Sequence, residues 1–178
     1  MGTIKPSSGS IQIEIENLRK NAVFQLTSYG NESHILDIAK MYFDLFHSQL
    51  DLNQLFSQFE LDDQKKKKFN KMSGGQQQKF KFLIALLNNP NLLLLDELTT
   101  SLDFVWRSKI IGLLKNAIEK SEATVILVSH DKEEIAHLCD RVIYIENGKI
   151  TKDIMLPKKF KEKVILIESE LMNYEAIV

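Results

Sequence analysis

The chain has 178 residues, enough for one compact domain that buries roughly two thirds of its unfolded surface. Its 23 lysines and arginines nearly balance 24 aspartates and glutamates, a formal charge of −1, so no global basic field selects nucleic acid and none is expected as a partner. The lone Cys139 excludes an internal disulfide, apolar runs fall far short of the ~20 residues that cross a bilayer, and the N-terminus shows no secretory pattern, which together give a soluble, cytoplasmic expectation.

In chain order, "IQIEI" (11–15) alternates apolar and polar residues and "NAVFQ" (21–25) is a second short apolar run, and both read as strands. Over 33–55, Ile35, Ile38, Ala39, Tyr42, Phe43, Leu45 and Phe46 recur at helical spacing, and Asp51 caps a further short helix. "DDQKKKKFNK" (62–71) has no periodicity and reads as a loop whose lysines are solvated. A helix then opens at Ser73 and runs to about Asn88. "NLLLLDE" (91–97) and "ATVILVSH" (123–130) are continuous apolar runs too short for helices, as expected of parallel strands covered on both faces.

Between these two runs, Phe104, Ile110, Ile111, Leu113, Leu114 and Ile118 mark a helix, and "DKEEIAHLCD" marks another, giving a βαβα order and a mainly parallel sheet. "RVIYIENGKITKDI" (141–154) turns at Asn147-Gly148, the strongest short hairpin signal, and predicts an antiparallel edge. Beyond Pro157 the pattern allows a strand and a helix.

The chemistry-bearing residues cluster in this frame. Ser73 with Gln76 three residues on fits a capping box, a purely structural device. Gly74 and Gly75 are not explained by capping, since each costs about 1 kcal/mol relative to alanine inside a helix; glycines there leave the first N–H groups open to something close, such as a phosphate. Asp96 and Glu97 end a buried strand, where one carboxylate can hold magnesium through water and its neighbour can orient a nucleophilic water. Acidic strand ends also simply satisfy the next helix. His130 and Gln25 end two other apolar strands, and ligands of parallel α/β sheets bind beyond the carboxyl ends of the strands. For His130 the alternative is an exposed turn residue beside a cap formed by Asp131 and Glu134.

In order along the chain, these residues resemble the nucleotide-binding domain of ABC ATPases. "MSGGQQQKF" resembles the signature, "LLLLDE" the Walker B strand with its following glutamate, "SLD" (101–103) the D-loop, "VSH" (128–130) the switch histidine, and "FQ" (24–25) the Q-loop. "TIKPSSGSIQI" (3–13) resembles the segment joining the Walker A helix to the next strand, and the likeness covers about residues 3–154. The sequence departs from the family at Leu98, where proline is usual, and at Ser101, where glycine is usual. It also contains no GxxxxGK[ST], the phosphate-cradling Walker A, which the family places upstream of Thr3.

The resemblance implies an α/β, P-loop NTPase-like fold: a partial ATPase core over 1–32 and 90–156, a helical signature subdomain over 33–89, and a C-terminal extension over 157–178. It implies ATP and Mg²⁺ as cofactors, with Glu97 as general base or water-positioning group and Asp96 holding magnesium through its water shell. Gln25 would sense magnesium and the attacking water, and His130 would contact the γ-phosphate. It further implies a head-to-tail homo- or heterodimer, in which Ser73, Gly74, Gly75 and Gln76 meet nucleotide held by the second ATPase subunit and Asp103 crosses the interface. A transmembrane permease would be the other partner, holding the chain peripherally at the membrane.

The expected function is an ATP-hydrolysing subunit of an ABC transporter, inactive alone without Walker A. Alternatives are a non-hydrolysing partner that donates its signature to an intact subunit, or a ribosome-associated ABC protein. A DNA-repair or chromosome-maintenance ATPase would require coiled-coil heptads before the signature, and residues 26–72 show none.

Overall fold

The computed structural model describes residues 6–24, 27, 29, 32–97, 99, 101–121, 123–157 and 164–168, with 117–121 and 164–168 given by their backbone alone. The elements are β1 (Lys20–Val23), α1 (Ile35–Leu45), α2 (Leu52–Gln58), α3 (Gly74–Leu86), β2 (Leu92–Asp96), α4 (Phe104–Ser121), β3 (Thr124–Val128), α5 (Lys132–Leu138), β4 (Arg141–Glu146), β5 (Lys149–Met155) and β6 (Val164–Glu168). They build one sheet in the order β1-β2-β3-β6-β4-β5. All neighbours are parallel except β5, which runs antiparallel to β4. This is the mainly parallel α/β, P-loop NTPase-like fold with an antiparallel edge that the sequence predicts.

The leucine run of β2 is central to it. Leu93 and Leu95 are almost fully buried, and Val23, Leu95, Leu127 and Leu166 stand side by side in register. The register matters for function, because it brings the carboxyl ends of β1, β2 and β3 to one edge of the sheet. The β4–β5 turn at Asn147 and Gly148 has φ of 50° and 74°, the left-handed pair that a two-residue hairpin loop demands.

One expectation fails. Residues 11–15 carry no strand, and Ile11 and Ile13 are 78% and 45% exposed. Alternation prepares a segment for pairing, but a strand exists only where a ladder partner lies beside it, and the ladder of β1 is with β2 alone among the described residues. β6 lies in the interior of the sheet, between β3 and β4; the helix expected after it lies outside the described residues.

Between β1 and β2, α1, α2 and α3 gather around aromatic rings. Phe56, Phe59, Phe80 and Phe82 are fully buried, and Tyr29 meets Tyr42, Phe69 and Phe80 edge to face at 5.0–5.9 Å. Burial pushes the Tyr29 phenol well above its ordinary range. The expected cap is present: the Asp51 carboxylate accepts from the N–H groups of Asn53 and Gln54 and starts α2. Trp106 of α4 ties this cluster to the rest, with its indole N–H donated to Glu60 at 2.9 Å and the ammonium groups of Lys79 and Lys109 over its ring at 3.4 and 4.5 Å.

Candidate functional site

The site lies at the sheet edge where β2 and β3 end. Glu97 follows the last residue of β2 with φ of 49°, a left-handed conformation that costs a non-glycine residue about 1–2 kcal/mol. Two bonds hold it there: its N–H donates to the Val128 carbonyl at 3.0 Å, and its carboxylate meets His130 Nε2 at 2.9 Å. Asp96 and Glu97 are both half-buried, whereas the His130 side chain is half exposed. The same left-handed conformation occurs at Asn17, His47, Glu60, Asn89 and Asn147, so it marks where the chain turns as well as where a reactive group is held.

A buried polar layer underlies this pair. Glu134, 1% exposed in the first turn of α5, accepts hydrogen bonds from the hydroxyls of Thr99 and Ser129, themselves 2% and 3% exposed. Burial pushes its carboxyl above the ordinary range, and the two hydroxyls oppose that push. Asp131 caps α5 by accepting from the N–H groups of Glu133 and Glu134, its own N–H donates to Ser129 Oγ at 3.0 Å, and Arg107 of α4 pairs with its other oxygen. The Nε of Arg107 is buried and has no hydrogen-bond partner among the described residues. Glu97, Thr99, Arg107, Ser129, His130, Asp131 and Glu134 line one pocket. Asp131 is therefore the expected cap, but Glu134 turns inward to Thr99 and Ser129, which sequence spacing does not distinguish.

The start of α3 forms a second cluster. Ser73 Oγ accepts from the Gln76 N–H at 3.3 Å and Gln76 Oε1 accepts from the Ser73 N–H at 3.1 Å, a complete capping box. Within the chain, the loop at Ser101 crowds Gly75 and lies at ordinary contact distance from Gly74. A β-carbon on Gly75 would lie 3.3 Å from the Ser101 carbonyl oxygen, and one on Gly74 3.6 Å from Ser101 Cβ. Asp103, at the end of the same loop, accepts from the Trp106 N–H at 3.0 Å and caps α4. The structure thus brings Glu97 to His130 and Ser73–Gln76 to Ser101, with residues 97–103 joining the two clusters. Gln25 and Leu98 lie outside the described residues.

Sequence reasoning passes over Lys81. Its ammonium, on an α3 residue only 6% exposed, donates to the Phe24 carbonyl at 3.2 Å, one residue before Gln25, and burial lowers its pKa. A lysine inside the apolar stretch "KFKFLIAL" is the signal that could have found it.

Among the described residues no group of three or more His, Cys, Asp and Glu side chains is arranged to hold a metal ion. Magnesium takes oxygen ligands and keeps several of its waters, so one strand-end carboxylate completed by nucleotide phosphates is a sufficient protein contribution, and Asp96 fits it. A strand-end carboxylate is thus a ligand type that magnesium accepts, and the 178 residues contain no GxxxxGK[ST] motif. No helix among the described residues is long and apolar enough to cross a membrane.

Comparisons with known proteins concern the sequence and the fold. Residues 9–136 match the family described as "AAA domain, putative AbiEii toxin, Type IV TA system". The methionine import ATP-binding protein MetN of Bacillus subtilis is 36% identical over 101 residues, covering 57% of this chain and 30% of that protein. The spermidine/putrescine import ATP-binding protein PotA of Vibrio cholerae is 31% identical over 149 residues, covering 80% of this chain and 39% of that protein. The chain thus spans well under half the length of these relatives. Among solved structures, the dimeric post-hydrolysis state of an ATP-binding cassette bound to ADP and Pi superposes with a TM-score of 0.70 at 27% identity, over 79% of this chain and 64% of that one. The chain belongs to the family described as AAA domain, putative AbiEii toxin, Type IV TA system, and is similar over part of their length to the ATP-binding proteins of ABC importers.

Proposed function

We propose that this chain acts in an ATP-binding subunit of an ABC transporter, working as one half of a head-to-tail pair of ATPase domains beneath a membrane permease. The observation that carries the reading is the start of α3: Ser73 and Gln76 close its cap, while Gly74 and Gly75 put no side chain over its first N–H groups. Those N–H groups and the positive end of the helix dipole suit the γ-phosphate of a nucleotide held by the opposite subunit. Asp103, on the loop that leans on the two glycines, faces the same interface in this reading. ATP and Mg²⁺ supply the phosphoanhydride bond and the charge that neutralises its oxygens.

The chain's own carboxylate edge serves the other site of the pair. Glu97 orients a water and accepts its proton, and His130, already 2.9 Å from that carboxylate, holds it in place and offers its ring to the γ-phosphate. Asp96 holds the magnesium water shell, and Gln25 would serve as the sensor of both. A reading in which the chain only donates its signature and hydrolyses nothing draws on the lack of a GxxxxGK[ST] within the 178 residues.

The test is a rescue in trans. This chain is mixed with a subunit that retains Walker A and carries a disabled signature, and ATP turnover is measured. Part of the lost activity returns, because removing one group that stabilises developing charge typically costs ~3 kcal/mol and this chain restores it. Rescue fails with Ser73→Arg and survives Glu97→Gln. Rescue that instead needs Glu97 and tolerates Ser73→Arg would leave the capping box as the whole meaning of this helix start.

A further inference from the structure

Two loops bring the candidate reactive groups together: residues 97–103 carry Glu97, and residues 129–131 carry His130. Side chain to side chain they touch through the 2.9 Å contact of Glu97 with His130, and the His130 ring is half exposed. A contact so open to water adds little to fixing two loops, and the bond from the Glu97 N–H to the Val128 carbonyl ties down just the first residue of the loop. Beneath it lies a carboxylate that the proposed mechanism does not use. Glu134 spends one oxygen on Thr99, two residues after Glu97, and the other on Ser129, the residue before His130. All three are at most 3% exposed. Burying a carboxyl is costly, and an apolar side chain at the first turn of α5 would fill the same space without that cost.

We propose that Glu134 is a positioning residue: its two oxygens clamp the loop after β2 to the end of β3 and thereby hold Glu97 and His130 within contact of each other. The importance of that contact rests on the proposed function, but the clamp itself does not. The same junction is secured from its far side, where Arg107 of α4 pairs with Asp131 and the Asp131 N–H donates to Ser129 Oγ. Thr99 in turn accepts the N–H of Leu102 at 2.9 Å, so the clamp reaches the part of the loop that leans on Gly74 and Gly75. Glu134 acts through Thr99 and Ser129.

The experiment reads the contact and needs no nucleotide. In the isotope-labelled full chain, the ring resonances of His130 are followed by NMR, with and without Glu97→Gln. In the native background Glu97→Gln shifts these resonances, because it removes the carboxylate charge beside Nε2. In Glu134→Ala that shift is lost, whereas Glu134→Gln, which keeps the size and a hydrogen-bonding group on each arm, retains it. A residue that merely supports α5 would lower the melting temperature and leave the shift intact. A folded Glu134→Ala protein with the full native shift therefore overturns the proposal. If Glu134→Ala does not fold, Thr99→Ala and Ser129→Ala each cut one arm and each diminishes the shift; no change in either overturns the proposal equally. Failure of the trans rescue with the NMR result intact would discard the ATPase reading and keep the clamp.

Discussion

The carbonyl oxygen of Ser101 lies 3.3 Å from where a β-carbon on Gly75 would stand, so the loop after β2 and the first turn of α3 are in contact through backbone. A β-carbon at that distance must push the loop that ends in Asp103. Gly112, within α4, has open space at the corresponding point. Gly112→Ala is therefore expected to raise the unfolding free energy by roughly 0.5–1 kcal/mol, the ordinary helix gain. Gly75→Ala is expected to lower it by about 1 kcal/mol, through the strain of inserting a methyl group into a filled space. Urea titrations of both variants check the pair, and equal gains would show that the contact at Ser101 yields freely.

Nucleotide affinity gives the second expectation. The backbone cradle and lysine that supply most phosphate contacts have no counterpart motif in these 178 residues. Calorimetry of the chain with Mg-ATP should show weak binding or none, and its hydrolysis rate should match that of Glu97→Gln. Micromolar affinity, or a clear difference in turnover between the two, would place the nucleotide elsewhere.

Glu134 makes a pH prediction whose sign follows from its burial. Desolvation raises its carboxyl from the ordinary 4.5, against the pull of Ser129, Thr99 and Arg107 and with the help of Asp131. The folded chain therefore binds a proton more readily than the unfolded one, and the stability attached to this group falls as pH rises from 4.5 toward the higher native value. Glu134→Gln cannot titrate. The unfolding free energy of the native chain minus that of Glu134→Gln should fall as pH rises through that window, and a signed difference that rises would mean the hydroxyls outweigh burial.

Cys139 offers a simpler probe. The thiol is 8% exposed, and burial, with the Asp140 and Glu134 carboxylates nearby, pushes its pKa up to about 12. Almost no thiolate is available near neutral pH in the folded chain. A thiol reagent should label the protein at the rate of opening and not of collision, so labelling should accelerate steeply through the urea transition. Rapid labelling without denaturant would show that the end of α5 is open.

What could be read from the sequence was what local pattern dictates. The leucine run of β2, the Asn147-Gly148 turn, and the caps at Ser73, Asp51 and Asp131 each depend on residues a few positions apart, and each is present. The Glu97–His130 contact spans 33 positions and was legible only as two polar residues ending neighbouring apolar strands. Glu134 was not legible, because the same residue at the same spacing completes a capping box or turns inward depending on what lies behind the helix. Residues 11–15 mislead for a related reason: alternation records readiness to pair, and pairing is decided by a distant neighbour.

The place of β6 carries a consequence for how the molecule is made. β3 and β4 follow one another along the chain, separated by α5, yet they are not hydrogen-bonded to each other; β6 stands between them and pairs with both. A chain emerging from the ribosome N-terminus first therefore holds its sheet in two unjoined pieces, β1–β2–β3 and β4–β5, until residues 164–168 arrive. In that interval the inner edges of β3 and β4 are open templates for any passing strand. A polypeptide ending just short of Val164 would hold the whole site of Glu97, His130 and Glu134 but have an unfilled slot through the middle of its sheet.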